Sequence, residues 1–232
     1  MSAPFKPVVY IISAPSGSGK STLVTELLKV APDLDFSISY TTRAPRGSEQ
    51  NGKQYYFVTR EEFETMIRAD EFLEHACVFE KDYYGTARRF LREAEQKRHD
   101  LLLDIDVQGA AQIKKKLPDA ASIFVLPPDR KTLEWRLRKR SEDKPEVIER
   151  RLIAAGREIE NYDRYNYILI NDHLAESTDR LEAIVQCERL KRDAHPLSDE
   201  EKQTIALAET CRLENMQQKV QPILDSFRQR VD

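Results

Sequence analysis

The stretch that decides the fold is Val8-Val9-Tyr10-Ile11-Ile12-Ser13-Ala14-Pro15-Ser16-Gly17-Ser18-Gly19-Lys20-Ser21-Thr22-Leu23-Val24. It opens on an unbroken apolar run, the pattern of a strand buried on both faces of its sheet. Ser13 to Gly19 are rich in Gly, Ser and Pro, and Leu23, Val24, Leu27 and Leu28 then recur at helical spacing. The unit therefore reads strand, loop, helix. Ala14 to Ser21 fits the Walker A spacing, with Ala14 in place of the first glycine. Small residues let successive backbone N–H groups turn inward around a phosphate, and the helix begun by Lys20 adds its unpaired N-terminal donors and its dipole. Lys20 can reach the β and γ oxygens of a nucleoside triphosphate, and the Ser21 hydroxyl can help hold Mg2+. Ala14, Pro15, Ser16, Gly17, Ser18, Gly19, Lys20 and Ser21 are thus expected to line a triphosphate site. The motif identifies a triphosphate user and leaves the reaction open.

Outward from this unit, further apolar runs follow at Leu101 to Leu103, ending in Asp104-Ile105-Asp106, at Ser122 to Leu126, and at Tyr167 to Ile170, closed by Asn171-Asp172. Unalternating strands separated by helical stretches indicate an α/β fold with a parallel sheet. Between Phe36 and about Tyr84 the pattern changes to short segments with interleaved aromatics: Phe36 to Thr42, Tyr55 to Thr59 and Phe72 to Phe79. These predict a small, mostly antiparallel insertion with one helix from Arg60 to about Ala69. Arg136 to Arg151 is dense in charge and predicts an exposed helix pair around a mobile turn. The last forty residues read as a helical appendage. Ser198 to Glu201 fits a capping box, and Leu213, Met216, Val220, Leu224 and Phe227 form an apolar stripe that Pro222 should kink or split. That stripe is expected to dock on the chain's own core, with a homo-oligomer contact as the other use for it.

Bulk properties narrow the class. The chain has 232 residues, 33% of them charged, and a formal net charge of −3 with both signs mixed throughout. No basic face or tail marks a nucleic-acid binder, so an anionic ligand must be gripped locally. Cys77, Cys187 and Cys211 are far apart, which reads as free thiols in a reducing compartment. No apolar run is long enough for a membrane span. The expectation is a cytoplasmic enzyme acting on small molecules, with no membrane partner.

From about Val8 to Arg189 the chain resembles the guanylate kinases. The blocks that carry the resemblance are Ser13 to Thr22, Ser37 to Arg46 with its Thr-Thr-Arg-Ala-Pro-Arg core, Asn51-Gly52, Phe72-Leu73-Glu74, Tyr83-Tyr84-Gly85-Thr86 and Asp104 to Gly109. The resemblance implies a three-layer P-loop kinase core (6–35, 97–130 and 156–192), an inserted mixed α+β GMP-binding domain (36–96), a helical lid (131–155) and a C-terminal helical extension (193–232). It implies transfer of the γ-phosphoryl group of ATP to GMP, with Mg2+. It adds Thr22 to the ATP side and assigns Asn171 to the adenine. Ser39, Arg43, Arg46, Tyr55 and Tyr84 match the residues that hold the GMP phosphate. Two guanidinium forks suit a dianion, and hydroxyls fill its remaining acceptor directions. Glu74 and Thr86 match the base readers. A carboxylate accepts the adjacent N1–H and 2-amino donors of guanine, and adenine offers no donor at N1. Asp104 is assigned to the metal and phosphate side and Asp106 to the GMP side. Arg140 and Arg151 match the lid arginines that act with Lys20 in catalysis. Arg136, Arg138 and Arg150 read foremost as solvated.

Some features depart from the family's pattern. Lys139-Arg140-Ser141 lacks the glycines that usually flank the lid arginine, and Phe79-Glu80-Lys81-Asp82 forms a longer turn without its glycine. The tail beyond Arg192 is not explained by the resemblance. Two other readings stand beside the main one: a non-catalytic guanylate-kinase-like module that binds proteins, and a P-loop kinase for another phosphorylated acceptor. The intact Lys20 and Ser21 and the lid arginines weigh against the first. Glu74, Tyr55, Tyr84 and Thr86 together weigh against the second.

Overall fold

The loop from Ala14 to Gly19 leaves a buried strand and enters a helix, as its sequence requires. The computed structural model describes residues 5–78, 81–140 and 144–228, with backbone alone at Val78 and Arg140. In chain order the elements are β1 (Val9–Ser13), α1 (Lys20–Val30), β2 (Leu34–Phe36), β3 (Tyr40–Thr41), β4 (Tyr56–Phe57), α2 (Arg60–Arg68), β5 (Phe72–Val78), β6 (Asp82–Ala87) and α3 (Arg89–Lys97). They continue with β7 (Asp100–Asp104), α4 (Val107–Lys116), β8 (Ala121–Leu126), α5 (Arg130–Arg140), α6 (Pro145–Ile159), β9 (Tyr167–Ile170), α7 (Leu174–Asp193), α8 (Asp199–Glu209) and α9 (Leu213–Arg228).

A five-stranded sheet has the order β2-β7-β1-β8-β9, and β2/β7 and β8/β9 run parallel. This is the expected α/β architecture, and the apolar runs are buried strands, with Val8 and Ile170 at their ends half-buried. One strand differs from the sequence reading. Phe36 to Thr42 is not a single strand of the insertion. Leu34–Phe36 joins the parallel sheet beside β7, and Tyr40–Thr41 alone enters the smaller sheet. Ser37, Ile38 and Ser39 lie between these two strands, Ser37 N–H donating to Leu102 O of β7 and Ser39 O accepting from Tyr56 N–H of β4.

The chain divides into two units with the break inside β1: one through Ile11 and from Asp33 to Ala120, the other Ile12–Pro32 and from Ala121 on. In the first unit a four-stranded sheet has the order β4-β3-β6-β5, antiparallel except between β3 and β4. Helix α2 starts in a capping box, with Thr59 Oγ1 accepting from Glu62 N–H and Glu62 Oε2 accepting from Thr59 N–H. Its Phe63 is fully buried and stacks on Phe72 and Tyr83. Helix α4 is capped by Asp106 and ends in Lys114, Lys115 and Lys116, charges that suit the two ends of its dipole.

In the second unit the charged segment is a helix pair, but not an exposed one throughout. Leu133 and Leu137 of α5 and Ile148, Leu152 and Ala155 of α6 form a buried cluster, with Phe227 of α9 packed against it. The turn at Ser141 and the residues Phe79 and Glu80 lie outside the described residues, as does the side chain of Arg140. The extension opens with the expected capping box at Ser198 and Glu201. Pro222 does not split the second helix, which runs from Leu213 to Arg228. Met216, Val220 and Leu224 are buried, so the stripe is covered by the chain's own helices and by β9. Arg212 bridges Tyr167 antiparallel, so the extension also pairs with the edge strand β9. At the start of α5 the Arg130 N–H, which no turn of its own helix can satisfy, donates to Ser226 Oγ of α9 at 3.1 Å.

Candidate functional site

The second unit builds a phosphate-sized cradle from backbone. Gly17 and Gly19 have φ of 95° and 89°, a region where side chains are strained. Gly19 is the N-cap of α1 and gives it no side-chain cap, at the helix end whose dipole favours an anion. The loop is held from behind. Ser18 N–H donates to Pro15 O at 3.1 Å, and the buried Asn171 amide donates to Ser18 O at 2.8 Å. Asn171 packs so closely that a Cβ on Gly19 would stand 2.3 Å from its Nδ2. On the other side a Cβ at Gly17 would meet Leu137 at 2.8 Å and Leu133 at 2.9 Å.

Charged groups gather around this loop. Lys20 is half-buried in the first turn of α1, and Ala14 and Pro15 line the approach from β1. Ser16, Ser21 and Thr22 are exposed. Arg151 of α6 donates to Ser16 Oγ at 2.7 Å. Arg136 of α5, read from sequence as solvated, is instead held at the loop. It donates to Asn171 O at 2.9 Å and to Ser18 O at 3.4 Å. The packing of Leu133 and Leu137 beside it, not its own spacing, turns it toward the loop. Arg138 is exposed and pairs with half-buried Glu134, and Arg150 is exposed, in keeping with the solvated reading.

The first unit forms a second site. Arg43 is buried and closely held: Nε donates to Tyr84 OH at 3.1 Å, Nη1 to Ala44 O at 2.8 Å, and Nη2 to both Glu49 oxygens at 3.0 Å. Its guanidinium lies 5.3 Å from the Tyr55 ring centroid, and Tyr55 and Tyr84 meet edge to face. Burial pushes the Tyr55 hydroxyl above its usual range, with Tyr84 and Asp104 adding to the effect. Glu49, which sequence reasoning missed, is held below the usual carboxylate range by its hydrogen bonds from Arg43 and then from Arg46 N–H. Arg46 itself is exposed, and Ser39 is half-buried, its carbonyl accepting from Tyr56 N–H. Asp104 is half-buried at the end of β7.

Glu74 and Thr86 face each other across β5 and β6. Both are buried, and Thr86 Oγ1 donates to Glu74 Oε1 at 2.8 Å. Burial raises Glu74 to about 7, Asp106 adds to this, and Thr86 and Lys116 oppose it. Asp106 stands at the N-terminus of α4, its Oδ1 accepting from Gly109 N–H at 2.8 Å. Gly109 lies against the Glu74 carboxylate, where a Cβ would be 2.8 Å from Oε2. A desolvated carboxylate beside a bare glycine face is suited to a planar group bearing two adjacent N–H donors. Sequence reasoning singled out Glu74 but not the packing of Gly109 upon it.

The guanylate kinase family model matches residues 6–188. A guanylate kinase of Koribacter versatilis is 58% identical over 227 residues, 97% of each chain, and so takes in most of the extension. A guanylate kinase of Nitrosospira multiformis is 49% identical over 79% of this chain and 87% of its own. The crystal structure of guanylate kinase from Anaplasma phagocytophilum aligns with a TM-score of 0.66 at 34% identity, covering 80% of this chain and 88% of that one.

Proposed function

The chain belongs to the guanylate kinase family, and on that premise we propose how its residues move the γ-phosphoryl group of ATP to GMP. It is a nucleoside monophosphate kinase. The observation that carries the acceptor assignment is the buried Glu74–Thr86 pair faced by Gly109. In this reading Glu74 accepts the guanine N1–H and 2-amino donors, and Thr86, whose one hydroxyl proton goes to Glu74 Oε1 in the free protein, turns it to the neighbouring O6. Arg43, Arg46, Tyr55, Tyr84 and Ser39 hold the GMP phosphate, with Asp106 on the same side.

The loop Ala14 to Thr22 wraps the ATP phosphates, and Asn171 and Arg136 keep the loop in shape from behind. Lys20, Arg151 and Arg140 neutralise the charge that builds on the transferring group. Asp104 is assigned to the metal and phosphate side. A magnesium ion, when bound, neutralises phosphate charge. The exposed Ser21 hydroxyl in the first turn of α1 is the hard oxygen donor that fits it, the nucleotide and water supplying the rest. The attacking phosphate oxygen is already anionic, so the chain needs no general base. Its work is alignment, charge neutralisation and exclusion of water.

Residues 36–96 serve as the acceptor domain and 131–155 as the lid in this proposal. Among the described residues no helix is long and apolar enough to cross a membrane. Cys77, Cys187 and Cys211 are free thiols, which supports a cytoplasmic setting. A homo-oligomer through the extension would use its outer face, since its apolar stripe is already covered. The deciding assay is ADP formation from ATP and Mg2+ with GMP, dGMP, AMP, CMP and UMP offered separately. Turnover confined to the guanine nucleotides is expected. Equal turnover with AMP would overturn the role given to Glu74.

A further inference from the structure

Strand β5 lies at the edge of its four-stranded sheet, so one row of its backbone groups has no strand to pair with. A register shift between Phe72 and Glu74 interrupts its ladder with β6 just before the carboxylate. Such bulges re-aim the side chains next to them, and a one-residue slip would turn Glu74 to the opposite face. Helix α4 supplies the missing partners at this place. Lys116 Nζ donates to Leu73 O at 2.6 Å. Gln112 Nε2 donates to His75 O at 2.8 Å, and Gln112 Oε1 accepts from His75 N–H at 3.4 Å. The backbone is thus held on both sides of Glu74. Gly109, three residues before Gln112, touches the carboxylate itself. Spacings of three and four put Gly109, Gln112 and Lys116 on one helix face.

We propose that Gln112 and Lys116 are positioning residues for selection of the acceptor base, fixing the bulged register of β5 that aims Glu74. The proposal rests on the reading of Glu74 as the acceptor of the guanine donors. Neither residue needs to touch a nucleotide, because both hold the backbone of residues 73 and 75; the charge of Lys116, which also acts on Glu74, is kept in Lys116→Arg and is untouched in Gln112→Leu. Without them, the Leu73 carbonyl and both polar groups of His75 lose their side-chain partners at the point where the ladder is interrupted.

The test compares Gln112→Leu, Lys116→Met and Lys116→Arg with wild type, with Glu74→Gln as reference, measuring kcat/KM for GMP and IMP and KM for ATP. IMP lacks the 2-amino donor, so the preference for GMP over IMP reports how well the carboxylate is aimed. Gln112→Leu and Lys116→Met should each reduce that preference about tenfold and raise KM for GMP, with KM for ATP unmoved. Lys116→Arg, which keeps a donor for Leu73 O, should restore it. A merely structural role would lower Tm and leave the preference intact, and that result in either folded variant overturns the proposal. If Gln112→Leu does not fold, Lys116→Met decides alone, since it alters an exposed side chain. A change of preference in Glu74→Gln without one in the α4 variants removes the positioning role only. No change in Glu74→Gln removes the base reading, and the positioning role with it.

Discussion

Replacing Glu74 by Gln should make the protein more stable and a worse enzyme, and the two effects follow from one observation. The carboxylate is buried, and burial followed by the nearby Asp106 raises it from 4.5 to about 7. The native state therefore holds this proton more tightly than the unfolded chain does. Between pH 4.5 and about 7 the unfolded chain has released the proton and the native state has kept it. Stability falls with rising pH across that window, and the loss is complete above it. At about 1.4 kcal/mol per pH unit the full cost is roughly 3 kcal/mol. Glutamine has the same shape and no charge, so the variant escapes this cost. Its stability advantage should be under about 1 kcal/mol at pH 5 and roughly 3 kcal/mol at pH 9. Thermal unfolding should then show Tm raised by roughly 6–12 °C at the higher pH.

The same substitution should damage recognition of GMP. Thr86 donates to Glu74 Oε1, so in the variant the amide oxygen takes that position and the NH2 group replaces Oε2. A guanine donor would then meet a donor. Losing a charge-assisted bond and leaving donors unpaired costs about 2–4 kcal/mol, a fall of roughly 30- to 1,000-fold in kcat/KM for GMP. Wild-type kcat/KM for GMP should rise through about pH 7 as Glu74 ionises in the free enzyme, and the variant should lack that limb. A stability difference that does not grow between pH 5 and 9 would refute the energetic reasoning. An unchanged kcat/KM for GMP would refute the assignment of the base.

Three other perturbations test separate parts of the molecule. Lys20→Ala should reduce turnover by at least about a thousandfold without unfolding the protein, measured by ADP release and circular dichroism, because it removes the lysine cation from the phosphate loop. Gly109→Ala places a methyl group 2.8 Å from Glu74 Oε2 and should push the carboxylate off Thr86. KM for GMP should rise about tenfold although alanine favours the helix by about 1 kcal/mol, so a kinetic defect in a protein no less stable is the expected signature. Phe227→Ala removes a ring from the cluster formed by α5 and α6 and should cost about 2 kcal/mol in a denaturant melt. Unchanged stability there would mean that α9 rests on the helix pair without supporting it.

What was legible in the sequence was whatever a local pattern encodes. Val8 to Val24 reads as strand, loop and helix because apolar period, small residues and helical spacing all act within a few residues of one another. The capping box at Ser198 is equally local. Pairings that depend on folded register were not legible. Arg136 reads as one more surface arginine on a charged helix, and only the packing of α5 brings it to Ser18, 118 positions earlier. Glu49 looks like a solvated turn residue until the chain between β3 and β4 closes it onto Arg43. Gln112 and Lys116 do carry a signal, since with Gly109 they fall on one helix face. What that face meets is set by a bulge in a strand 37 and 43 residues away. Phe36 to Thr42 misled for a related reason: its alternating pattern fits a single strand, and only the pairing shows that its two ends belong to different sheets.

The first unit treats two of its buried charges, Arg43 and Glu74, in opposite ways, and the contrast explains why its base selection can be strong. Arg43 has its counter-charge supplied within the protein. Glu49, Tyr84 and Ala44 occupy most of its donors, so the cation stays buried at little cost before any phosphate arrives. Glu74 is compensated only in part. Thr86 donates to it and the Lys116 charge acts on it, but burial outweighs both, Asp106 adds a like charge nearby, and Gly109 offers no side-chain donor. A partner that brings two N–H donors relieves a penalty already present in the free protein, so binding it is worth more than the same two bonds made in water. A base without those donors relieves nothing and covers the carboxylate further. Discrimination of this kind depends on aim, because a carboxylate free to turn toward water would lose the penalty and the selectivity together. That dependence is the reason for a rigid helix face behind Glu74 rather than a loop.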